Sequence, residues 1–161
     1  MIDEIDRKIL TLLQDNARMA NTDISKNVGM APSAVLERMR KLEANGIIEG
    51  YTAKINPEVL DYGLVAFVFV KTEDSIGETK TAKLLAKIPE VQEVHHIAGE
   101  DCFLVKVRAM DTHHLAAILR DNFGKIKTVH STRTTIVLDT VKETSALPLA
   151  LNNFERKKRG Q

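Results

Sequence analysis

Residues 64–70 read Leu-Val-Ala-Phe-Val-Phe-Val, seven apolar residues without interruption. A membrane-spanning helix needs about 20 such residues, and no apolar run in the chain approaches that length. A short apolar run predicts a buried strand instead, and the rest of the chain must supply its neighbours and its cover. Residues 76–87 suit a helix anchored by Leu84, Leu85 and Ile88, with Pro89 as its stop. Val91–Ala98 predicts a second strand, Gly99-Glu100-Asp101 a tight turn, and Cys102–Met110 a third strand. Residues 112–123 predict a second helix, capped by Asp111 or Thr112 and closed by Gly124, before a fourth strand at Val129–Leu138.

The order strand-helix-strand-strand-helix-strand is the ferredoxin-like split βαβ arrangement. Two layers leave one face of the sheet uncovered, and a second copy of the chain would cover it with closed symmetry.

The first third of the chain has a different texture. Ile5, Ile9, Leu12 and Leu13 recur at helical spacing behind Asp3, an N-cap with Asp6 three residues on. A short second helix starts near Thr22, carries Ile24 and Val28 inward, and closes at Gly29, where a left-handed backbone suits glycine. Pro32 then opens a third helix with Val35, Met39 and Leu42 on one face, ending near Asn45-Gly46. Two helices joined by so tight a glycine turn form a helix-turn-helix signature. Ile47, Ile48, Tyr51 and Ile55 around Gly50 predict a short two-stranded wing, and Asn56-Pro57 opens a linker to about Gly63. The fold class expected is α+β, with a winged helix-turn-helix over 1–60, a ferredoxin-like βαββαβ sandwich over 61–141, and a C-terminal segment with a basic tail over 142–161.

Bulk charge does not announce a nucleic-acid partner, since the formal net charge is +1. Residues 1–60 hold eight Lys and Arg against nine Asp and Glu. One protomer should therefore bind DNA weakly, and linked copies would raise the effective concentration. Aromatic residues are 4% with no Trp, which argues against base-stacking platforms for single strands. One cysteine cannot form an internal disulfide or a thiolate-rich zinc site and fits a reducing cytosol. The acidic start lacks a secretion signal. The reading is cytoplasmic, with no membrane, no metal and no cofactor.

Three segments, Val35–Lys54 (VLERMRKLEANGIIEGYTAK), Ile97–Arg108 (IAGEDCFLVKVR) and Val129–Leu149 (VHSTRTTIVLDTVKETSALPL), resemble the leucine-responsive/asparagine-regulator (Lrp/AsnC) family of transcription factors. They look like that family's recognition helix with its wing, its central turn, and its last strand with the C-terminal segment. The resemblance covers almost the whole chain. It implies a double-stranded DNA-binding regulator that forms dimers, then octamers or open arrays, and binds an amino-acid effector between subunits. It also marks two departures. Ala31 stands where relatives usually carry a capping serine, and Cys102 stands where relatives commonly place an aspartate.

On the third helix Ser33, Glu37 and Arg40 fall opposite the apolar face, with Arg38 and Lys41 on the flanks. An anchored helix with an exposed row of hydrogen-bonding side chains is what a major-groove reader needs. Together with Thr22 these are the candidate DNA-binding residues; the ordinary alternative is an amphipathic surface helix. Candidate effector-binding residues are Gly99, Glu100, Asp101 and Cys102 in the turn, with Thr132 and Thr134 on one face of the last strand. The turn offers amides for a carboxylate and an acid for an ammonium. Without the resemblance it is a plain hairpin turn. The pairs His95-His96 and His113-His114 suit structural or surface roles, because neighbouring side chains diverge on strands and helices alike. The basic run Lys157–Arg159 suits a solvated tail, with phosphate contact as the alternative. No catalytic residues are expected. Siroheme decarboxylases share the family's fold and use a histidine on the strand of His95 and His96, but no arginine follows here until Arg108. An effector-independent architectural DNA-binding protein is the other alternative.

Overall fold

The computed structural model describes residues 2–74, 78–99 and 102–149. It divides into two compact units, residues 1–54 with 143–161, and residues 55–142.

In the first unit α1 (Glu4–Asp15), α2 (Asn21–Val28) and α3 (Pro32–Ala44) enclose Ile9, Leu13, Ile24, Val35 and Leu42. Each such side chain contributes about 1.5–3 kcal/mol of burial. Asp3 and Asp6 form the reciprocal capping box, with the Asp6 amide donating to Asp3 at 2.8 Å and the Asp3 amide to Asp6 at 3.1 Å. Gly29 caps α2 at φ +69°, so the tight turn into α3 is made as its glycine demands. Thr22 is not the cap of α2. Ala20 occupies that position, and the Thr22 carbonyl accepts the Ser25 hydroxyl at 2.7 Å. α3 likewise starts behind Ala31 with no side-chain cap. The expected pair of wing strands does not form, and residues 47–57 contain no strand. Gly50 does not take the positive φ that a tight hairpin turn requires, and an isolated hairpin is marginal in water. The Tyr51 hydroxyl instead donates to Glu43 near the end of α3, at 2.8 Å.

The first unit is completed from the far end of the chain. The Gln14 side-chain amide donates to the Leu147 carbonyl at 3.0 Å and accepts the Leu147 amide at 2.7 Å. Leu149 lies with Glu4, Arg7, Lys8, Thr11 and Leu12 of α1 around a cavity of about 330 Å³.

The second unit contains β1 (Leu64–Thr72), α4 (Lys80–Leu85), β2 (Val91–His96), β3 (Phe103–Ala109), α5 (Thr112–Asp121) and β4 (Val129–Ile136). The strands pair antiparallel in the order β2-β3-β1-β4, as the split βαβ pattern requires. Ala66, Val68 and Val70 of β1 and Phe103, Val105 and Val107 of β3 are buried with Leu85, Leu115 and Ile118 of the helices. Asp111 caps α5 through the His114 amide. Two details differ from the sequence reading. Leu84 is 45% exposed, and the buried positions of the short α4 are Thr81 and Leu85, one turn apart. Thr81 can be buried because its hydroxyl bonds that of Thr128 and its amide donates to Asp74 at 3.1 Å. Gly124 does not close α5. It lies in a 3-10 turn, Phe123–Lys125, which sends Phe123 into the core.

Candidate functional site

On α3 the inner face is fixed by the fully buried Val35 and the nearly buried Leu42, and Ser33, Glu37, Arg40 and Lys41 are exposed. Glu37 pairs with Lys41 one turn on at 2.7 Å, which holds the Glu37 carboxyl below its usual range. Both side chains remain about two-thirds exposed, so an incoming phosphate can compete for Lys41. Arg40 has no ion pair among the described residues. Thr22 is exposed near the start of α2.

Arg38 differs from its neighbours. One guanidinium nitrogen, Nη1, lies 2.6 Å from Asp3 and 2.7 Å from Asp6. The Asp3 carboxyl is held below its usual value, first by the Asp6 amide and then by this Arg38 contact.

In the second unit Gly99 has φ +149°, a conformation glycine adopts readily and other residues rarely. Glu100 and Asp101 lie outside the described residues. The half-buried Cys102 donates its amide to the Val70 carbonyl at 2.9 Å. Val70 is paired on its other side with Thr132, and Val68 with Thr134. The fold thus brings Cys102 and Thr132 to the two flanks of one β1 residue, about two strand spacings or 10 Å apart. Thr134 is half-buried and Thr132 exposed.

His95 and His96 diverge as strand geometry requires. His95 meets Glu93 at 3.0 Å, and His96 packs at 5.2 Å from the Phe103 ring. Glu93 also accepts from the buried Lys106 at 3.1 Å, and its carboxyl is lowered by His95 first and Lys106 next. This cluster escaped the sequence reading, because its members come from two strands. No helix among the described residues is long and apolar enough to cross a membrane.

A helix-turn-helix with an anchored, outward-facing third helix, joined to a separate βαββαβ unit, defines a two-domain DNA-binding regulator. Residues 2–49 match the family model for winged helix-turn-helix DNA-binding, and residues 65–147 match the Lrp/AsnC ligand binding domain. The chain is 41% identical over 148 residues to the HTH-type transcriptional regulator FL11 of Pyrococcus horikoshii, covering 92% of this chain and 97% of that protein. It is 37% identical to the leucine-responsive regulatory protein of Escherichia coli, covering 91% of this chain and 90% of that one. The solved structure of a Neisseria meningitidis transcriptional regulator in complex with L-Met superposes with a TM-score of 0.87 at 31% identity, over 93% of this chain and 98% of that chain. The chain belongs to the Lrp/AsnC family of transcription regulators.

Proposed function

We propose that this regulator reads duplex DNA sequence through the outer face of α3, and that a small α-amino acid held at the turn 99–102 and the β4 threonines alters that binding. Two or more copies act together, in the cytoplasm. The observation that carries the reading is the division of α3 into a buried stripe, Val35 and Leu42, and an exposed row, Ser33, Glu37, Arg40 and Lys41. Such a helix presents hydrogen-bonding groups without moving. Thr22, exposed at the start of α2, adds a backbone contact in this reading. Lys41 supplies charge for phosphate, and Glu37 accepts from a cytosine amino group.

An amino-acid ligand is supported by the Neisseria relative, a complex with L-Met. Its carboxylate requires amide or hydroxyl donors, for which the Gly99 amide and the Thr132 and Thr134 hydroxyls are the candidates. Its ammonium requires a carboxylate. Cys102 has none to offer, so Asp101 takes that role in preference to Glu100.

The test is fluorescence anisotropy with duplexes enriched from a random pool by the wild-type chain. Arg40→Ala should weaken specific binding by about 1–3 kcal/mol if it reads a guanine. A double Arg40→Ala, Lys41→Ala variant with unchanged affinity would refute the placement. For the effector, a thermal-shift screen of the amino acids identifies the ligand, and Asp101→Asn should lower its affinity about tenfold or more. Equal calorimetric affinity in that variant removes Asp101 from the site.

A further inference from the structure

Arg38 carries the same charge as Arg40 and Lys41 on α3, but it lies on a different face. It stands three residues after Val35 and four before Leu42, the two buried anchors of α3. Residues at that spacing share one stripe of a helix. The guanidinium is accordingly turned toward the N-terminus of α1, and only 28% of the side chain is exposed.

The partners there form a closed set. Asp3 Oδ1 accepts the Asp6 amide and Asp6 Oδ2 accepts the Asp3 amide. The two remaining carboxylate oxygens, Asp3 Oδ2 and Asp6 Oδ1, both accept from Arg38 Nη1. All four oxygens of the capping box are thus satisfied, two by the start of α1 and two by the middle of α3. The Asp6 side chain is only 13% exposed, so removing its charged partner would leave a nearly buried carboxylate uncompensated. α3 lacks a side-chain cap behind Ala31, and this bridge is a polar constraint on it from another helix.

We propose that Arg38 is a positioning residue for DNA reading and not a phosphate contact: by locking α3 to the capping box of α1 it sets the angle at which Ser33, Glu37 and Arg40 meet the base edges. The proposal rests on α3 being the reader. Phosphate attraction tolerates small rotations of a helix, while base contacts do not. Arg38 therefore governs the ratio of specific to nonspecific affinity, and Asp3 and Asp6 govern it equally, although they are acids in a DNA-binding unit.

The experiment measures binding of the full chain across a salt series, to a duplex enriched from a random pool and to an unrelated duplex of equal length. Arg38→Ala should lower specific affinity about tenfold, leave nonspecific affinity within about twofold, and leave the slope of log K against log salt unchanged. Lys41→Ala serves as the comparison and should reduce that slope by about 0.9, the value of one lost phosphate contact. Asp3→Asn with Asp6→Asn keeps every cation and should reproduce the loss of specificity seen with Arg38→Ala. If Arg38 touched phosphate, the Asp3/Asp6 variant would bind both duplexes more tightly and Arg38→Ala would reduce the slope by about 0.9; either result overturns the proposal, as does unchanged specificity in Arg38→Ala. Should Arg38→Ala fail to give a helical, cooperatively melting chain, Asp3→Asn alone carries the test. It leaves Asp6 and Arg38 in place, and about a threefold loss of specific affinity with an unchanged slope is expected, whereas a gain overturns the proposal. Failure of the α3 reading itself looks different: Arg40→Ala and Lys41→Ala then change neither affinity nor slope.

Discussion

Tyr51 shows what one side chain can do where a wing strand was expected. Its hydroxyl donates to Glu43 at the end of α3, and its phenol is pushed up to about 12. Burial is the larger cause, and the hydrogen bond to Glu43 and that residue's charge add to it. A raised pKa means that the contact stabilises the fold in full below the ordinary tyrosine value of 10.0 and loses that contribution as pH rises through about 12. In a Tyr62→Phe variant, which leaves Tyr51 as the single tyrosine, the phenolate absorbance should therefore rise with a midpoint near 12. Glu43→Gln should bring the midpoint part of the way back toward 10, with the remainder due to burial. A midpoint at 10 in the parent would show that the contact does not persist in solution. At this scale the candidate site was partly legible. Helical spacing separated Ser33 and Arg40 from Val35 and Leu42, because period alone decides which face a residue takes. The same spacing put Arg38 on the flank with Lys41, and its partners lie more than 30 positions away. No local pattern reveals such a pairing. Cys102 is similar: its hydrogen-bond partner Val70, and Thr132 beyond it, come from strands brought together only by the sheet.

Among the elements, α3 depends most on packing. It has no side-chain cap, and its exposed Glu37–Lys41 pair contributes at most about 0.5 kcal/mol. Its inner stripe must hold it. Leu42→Ala should cost about 2–5 kcal/mol in chemical denaturation, the range for truncating a buried leucine, and DNA binding should be lost as α3 loosens. A cost under about 1 kcal/mol would mean that Leu42 is not buried as described. The elements readable from sequence were those with strong punctuation: Asp3 before α1, Gly29 and Pro32 around the turn, the apolar run of β1, and Asp111 before α5. Those misread lacked it. α4 is short and takes its inward positions as Thr81 and Leu85, because the Thr128 hydroxyl makes a buried threonine affordable where composition favoured Leu84. At the wing only the strand pair was misread: alternating apolar residues around a glycine suit a hairpin, yet residues 47–57 contain no strand.

For the whole molecule, the sheet face away from the helices is informative. The cross-strand pairing puts Phe67 and Phe69 of β1 beside Leu104 and Lys106 of β3 and Arg133 of β4, and the Arg133 guanidinium sits 4.0 Å from the Phe69 ring. Phe67, Phe69 and Leu104 are only half-buried, and aromatic residues with arginine are typical of interface cores. Light scattering of the full chain at micromolar concentration should give at least twice the mass of one chain, and Phe69→Asp should shift it toward the monomer. A monomeric parent would remove this face from any account of assembly. The other feature of this scale is the Gln14–Leu147 bridge, whose two ends are 133 positions apart. Synthesis delivers them in that order. The three helices can pack as soon as they leave the ribosome, since domains fold as they emerge, but the outer seal on α1 waits until Leu147 has been translated. A nonsense or frameshift lesion upstream of codon 147, far from any DNA-reading residue in sequence, is therefore felt at the first helix.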